Sequence, residues 1–217
     1  MRYTYKDAIY LVLDQLKQST DDIQLEEDHI AALINASRAT LLKQRLGNNK
    51  VEVPKEVIQT IPFKLQLINQ TITSDREFEL LNLNGNHLYY DIVLPDYPNY
   101  EISFITLDRF KYVHNNKWLK NIIYSALSNT GKILIKAPDS IKNLFISPSY
   151  RINAVFNGIL DDPRSVFPFE DNYLDLDLAV NGDLLRAIID LTVADLLKHM
   201  SIPEDIINNG KNDQQLK

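Results

Sequence analysis

Residues 109 to 136 read RFKYVHNNKWLKNIIYSALSNTGKILIK, with seven charged or imidazole side chains, no acid among them, and aromatics interleaved. Basic groups neutralise phosphates and aromatic faces stack on bases, so one reading is a groove for single-stranded nucleic acid. The other reading is a β-hairpin with one wet face. NIIYSAL and KILIKA are strand-like runs separated by SNTG, whose Asn129 and Gly131 can take the positive φ that a hairpin turn demands. Lys132, Leu134 and Lys136 then share one face of a strand opposite Ile133 and Ile135, an ordinary antiparallel pattern.

The β character extends to both sides of this hairpin. PFKLQLINQTI (62–72), HLYYDIVLPDYPNYEISFITL (87–107) and RINAVFNGIL (151–160) are rich in β-branched and aromatic residues between prolines and turn residues, and they read as strands. Farther out the apolar period becomes helical. Tyr5, Ile9, Val12, Leu13 and Leu16 draw one stripe at spacings of three and four. A second helix follows, with Glu26, Glu27 and Asp28 in its first turn, Arg38, Lys43 and Arg45 toward its end and Gly47 as its stop. Ala31, Ala32, Ala36 and Ala39 leave it slim enough for a close neighbour. After Asp183 as N-cap, Leu184, Leu185, Ile188, Ile189, Val193, Leu196, Leu197 and Met200 make a stripe wide enough for two neighbours, the N-terminal hairpin and a second subunit.

These periods predict an α+β fold: an N-terminal helical hairpin and a long C-terminal helix packed together, with an antiparallel β insertion between them. The expected division is a helical hairpin at 1–50, a β-rich domain at 51–182, a helix at 183–200 packing on the hairpin, and a polar tail at 201–217.

Composition narrows the function classes. The chain has 217 residues and no cysteine, so disulfides, thiolate nucleophiles and cysteine-ligated zinc are absent. The start MRYTYKDAIYLVLDQL puts Lys6, Asp7 and Asp14 where a signal peptide needs an apolar run, and no 18-residue apolar stretch exists, which predicts a chain made in a cytoplasm and with no membrane partner. The net charge of -6 is uneven: residues 1–160 carry 18 basic and 17 acidic groups, residues 161–217 carry 5 and 12. A basic middle and an acidic end suit subunits that meet one another.

Catalytic signals are sparse. His29, His87, His114 and His199 are scattered without metal-ligand spacing, and six glycines leave no phosphate-cradling loop. Asp175 and Asp177 in EDNYLDLDL would share a face if this stretch is a strand, as a cation pair or acid–base pair would, but no third ligand accompanies them. Trp118 fits a core anchor or an interface hot spot. No catalytic residue, cofactor or metal site is expected.

Several segments together resemble the connector-ring virion proteins that lie between portal and tail in crAss-like and related tailed bacteriophages. They are two opening helices with an R-x-x-L-L-K-Q pattern at Arg38 to Gln44, the hairpin above, VFNGILDDP, FPFED before the last long helix, and IPEDIINNGKND near the end. The resemblance implies a non-enzymatic structural protein of the virion at the capsid–tail junction, synthesised in the bacterial host cytoplasm. Its implied partners are copies of itself in a ring, expected to be a dodecamer, the portal, adjacent ring or tail proteins, and genomic DNA that passes through the channel without sequence-specific binding. The residues expected at interfaces are Arg38, Lys43, Arg45, Lys111, Lys117, Trp118 and Lys120, and in the tail Pro203, Glu204, Asp205, Asn208, Asn209 and Asp213. The tail is expected to order on assembly against an adjacent subunit or a neighbouring ring protein, with residues 109–142 of another subunit as the first candidate. The alternatives are a nucleic-acid binding module and, behind it, a metal-dependent enzyme using Asp175 and Asp177.

Overall fold

A computed structural model describes residues 3–17, 25–47, 52–68, 71–83, 89–96, 99–113, 118, 121–138, 152–166 and 173–200. Helix α1, Tyr5–Lys17, turns Tyr5, Ile9, Val12 and Leu16 inward. A reciprocal cap fixes its start: Thr4 Oγ1 accepts from the Asp7 N–H at 3.2 Å, and the Asp7 carboxylate accepts from the Thr4 N–H at 3.0 Å. These bonds favour the ionised carboxylate, so the Asp7 pKa lies below its ordinary value. Helix α2, Glu27–Leu46, buries Ile30, Ile34, Leu42 and Leu46, and the Gly47 N–H closes it on the Lys43 carbonyl at 2.9 Å.

Seven strands follow among the described residues: β1 (Gln59–Ile68), β2 (Thr71–Glu77), β3 (Tyr90–Val93), β4 (Ile102–Phe104), β5 (Ile123–Leu127), β6 (Lys132–Lys136) and β7 (Ile152–Gly158). They form one sheet in the order β3-β7-β1-β2-β6-β5-β4. Every neighbouring pair is antiparallel except β4 and β5, which run parallel. A parallel pair needs a crossover, and the connection that makes it includes the one-turn helix α3, Leu107–Phe110. Of the turn residues between β5 and β6, Gly131 is the one in the left-handed region, with φ 77°. A Cβ there would lie 3.0 Å from the Phe78 carbonyl oxygen.

The sheet curls until its edges meet. Tyr90 on β3 packs edge-on against Phe104 on β4, with ring centroids 4.0 Å apart, and a nearly closed barrel results. Its interior is filled by side chains from alternate strand positions and by Phe78 just past β2, and Phe63, Phe78 and Phe156 form a run with centroid separations of 5.3 and 4.5 Å. Helix α4, Gly182–Met200, is the last element among the described residues. Its cap is Asn181, whose Oδ1 accepts the Leu184 N–H at 3.0 Å, and Asp183, expected in that role, stands in the first turn instead.

The expected fold class is therefore corrected. The β part is not an antiparallel insertion between a helical hairpin and a final helix; it is the body of the molecule, a curled seven-stranded sheet with one parallel pair, accompanied among the described residues by four helices. Curling depends on pairings between remote residues, such as Gln59 with Gly158, and these leave no local period in the sequence. The wide stripe of α4 is covered by α1 and α2 of the same chain. The helical core also takes Leu81, Ile159 and Leu178 from the strand-bearing part of the chain. Among the described residues no helix is long and apolar enough to cross a membrane.

Candidate interaction surfaces and the buried junction

Arg38 lies inside the subunit. It stands at the fourth residue after Ile34 and the fourth before Leu42, on the row that α2 buries, and its relative exposure is 0%. Its Nη1 donates to the Leu160 carbonyl at 3.0 Å, while Nε and Nη2 are buried without a protein acceptor. Burial lowers the guanidinium pKa, and the nearby Tyr5, Asp162 and Asp161 act in the opposite sense.

A polar chain runs beside it. The Tyr5 hydroxyl donates to Asn35 Oδ1, and Asn35 Nδ2 donates to Asp162 Oδ1 at 2.8 Å. Arg164 grips the same carboxylate through Nε at 3.1 Å and Nη2 at 2.9 Å, which raises the guanidinium pKa. The guanidinium also lies 5.5 Å from the centre of the Tyr173 ring, and the Tyr173 hydroxyl donates to Asp28. Thus α1, α2, the turn after β7 and the short turn Tyr173–Asp175 are joined through one set of buried and half-buried groups. Burial drives the Tyr5 phenol pKa well above its ordinary 10.0; for Tyr173, burial first and Asp28 second push it up to about 12.

The basic run divides between structural and surface roles. Lys136 Nζ donates to the carbonyls of Val113 at 3.0 Å and of Phe110 and Lys111 at 3.4 Å, so it holds the chain end of α3 against the sheet. On the loop that it holds, Arg109 and Lys111 are exposed and Tyr112 is 71% exposed. Trp118 is 77% exposed.

A cleft of about 640 Å³ opens elsewhere. Its walls include Lys55 and Glu56 in the 3-10 turn before β1, Gln59 and Thr60 at the start of β1, and Asp175 and Asp177. Residues 175–177 do not form the expected strand: Asp175 ends a 3-10 turn, and Asp177 makes an isolated antiparallel bridge with Thr4. Both carboxylates are exposed, and Ala179 on the same wall has a φ of 50°, in the left-handed region. Among the described residues no three His, Cys, Asp or Glu side chains are grouped to hold a metal ion.

The family model of phage tail ring protein 2 matches residues 7–214. The chain belongs to the phage tail ring protein 2 family. It is 29% identical to Ring protein 2 of Bacteroides phage crAss001 across 97% of each chain. This ring protein is a structural component of a phage virion. Of its expected interface residues, Lys43, Arg45, Lys111 and Trp118 are exposed, and Arg38 is interior. Lys117, Lys120, Pro203, Glu204, Asp205, Asn208, Asn209 and Asp213 lie outside the described residues. Two quoted segments of the ring protein, R-x-x-L-L-K-Q and VFNGILDDP, meet in space: Arg38 bonds the Leu160 carbonyl, and Lys43 Nζ lies 3.9 Å from Asp161. Sequence reading missed Tyr5, Asn35, Asp162, Arg164 and Tyr173 as one network. The available signal was Arg38 itself, a charge in a row of aliphatic residues.

Proposed function

We propose that this protein forms a closed homo-oligomeric ring, expected to be a dodecamer, at the portal–tail junction of the virion. It extends the DNA channel, docks the next ring or tail component, and is made in the host cytoplasm without a catalytic role. The family match over residues 7–214 carries the reading. A subunit locked internally by the Arg38 and Asp162 junction, with exposed Arg109, Lys111 and Tyr112 on one loop, supports it. The duplex must slide through such a channel, so the free subunit should hold DNA weakly. The internal use of Lys136 accords with that, since only part of the basic run remains for phosphates. Electron microscopy of purified virions with an antibody against this chain tests the position: label at the neck supports the reading, and label confined to the distal tail overturns it. Retention of the purified monomer on DNA, falling steeply as salt is raised, would favour a nucleic-acid binding module instead.

A further inference from the structure

Resting on the ring reading, we propose that the loop bearing Arg109, Lys111 and Tyr112 of one subunit docks into the cleft lined by Glu56, Thr60 and Asp175 of the next copy. A closed ring is heterologous: each subunit presents two different surfaces, directed away from each other. The strand order sets these two far apart around the curled sheet. The cleft is built on the start of β1, and the loop connects β4 to β5. Around the curled order β3-β7-β1-β2-β6-β5-β4, β1 lies three strands from β4 through β7 and β3, and three strands from β5 through β2 and β6. Seven strands permit no greater separation.

The chemistry is complementary as well. The loop offers the exposed cations Arg109 and Lys111, with Asp108 the one acid on the same turn, around an exposed phenol ring. Lys136 anchors its carbonyls, so the loop is presented in a fixed posture, which lowers the ordering cost of docking. The cleft offers Glu56, Asp175 and Asp177 against the single amine of Lys55, with Ile58, Leu176 and Val180 as apolar wall. A tyrosine on a loop with two cations, entering an acidic cleft with an apolar lining, is a common form of interface anchor. Pairing of this kind weakens as salt rises.

The chain contains no cysteine, so engineered pairs cross-link without background. In the full-length protein carrying both Tyr112→Cys and Glu56→Cys, mild oxidation should give a disulfide ladder extending past the dimer, because every subunit uses both ends. Either single variant should stop at the dimer. Lys111→Glu should lose high-mass species in sedimentation, and adding Glu56→Lys should restore them. No ladder from a protein that still forms rings, or unaltered assembly of Lys111→Glu, overturns the contact and leaves the ring reading standing. Cross-linking of Tyr112→Cys to Asn208→Cys instead of to Glu56→Cys assigns the loop to the acidic tail and also overturns it. A wild-type chain that stays monomeric alone and with its portal removes the ring reading, and this contact with it.

Discussion

At the scale of single residues, the decisive feature is the row Ile30, Ile34, Arg38, Leu42 and Leu46, a buried stripe with one charge in its middle. The spacing was legible in the sequence, but its meaning was not. A basic residue on a helix ordinarily faces solvent, and only the turn after β7, more than a hundred residues on, supplies the acceptor that brings this one inside. Asp162 has more partners than Arg38, so its loss should cost more than its exposure suggests. Asp162→Ala leaves Asn35 Nδ2 without its acceptor and the partly buried Arg164 without its counter-ion; a loss of about 2–4 kcal/mol is expected in urea unfolding. Arg38→Met keeps the length of the side chain and removes a charge with two unpartnered nitrogens. It should therefore be less destabilising than Arg38→Ala, by at least about 1 kcal/mol. Equal losses from the two substitutions would contradict this account.

At the scale of elements, the apolar period marked two helices within residues 1–50 and one at 183–200, and the structure has helices at 5–17, 27–46 and 182–200; alternation marked the hairpin of β5 and β6. The period is local, so a segment buried against one face carries its own signature. The parallel pairing of β4 with β5 carried none, because β4 spans only Ile102–Phe104, and a short strand gives alternation no room to register. The cleft was hidden for a related reason, since its walls come chiefly from residues 55–61 and 175–180, with Tyr3 and Pro163, which gain meaning only when placed face to face. The hairpin turn allows a sharp test. Gly131→Ala forces an L side chain into φ 77° and brings a methyl group to 3.0 Å from the Phe78 carbonyl. A loss of about 1–2 kcal/mol is expected in thermal unfolding. Asn129, outside the left-handed region, should accept alanine with little change.

At the scale of the whole molecule, the fold holds tyrosines neutral, Tyr90 within the barrel and Tyr173 against α2. Burial pushes the Tyr90 phenol up to about 12, and Tyr173 reaches about 12, against 10.0 in an open chain. Below pH 10 both states of the chain keep these protons. Above it the unfolded chain releases protons that the folded chain retains, so stability falls as pH rises from 10 toward about 12. Melting temperatures measured from about pH 9 to about pH 12 should decline over that interval, and Tyr90→Phe should flatten the decline. We further propose that residues 1–50 and 183–200 behave as one unit. Hydrogen exchange should then show the amides of α1, α2 and α4 opening together. The seam between β3 and β4 adds a mechanical property. Neighbouring strands elsewhere in the order are tied by backbone ladders, whereas the described residues at the seam meet through the aromatic rings of Tyr90 and Phe104. A load across the barrel therefore falls first on a contact that can slide and re-form, so the subunit yields elastically at one place and keeps its strand register everywhere else.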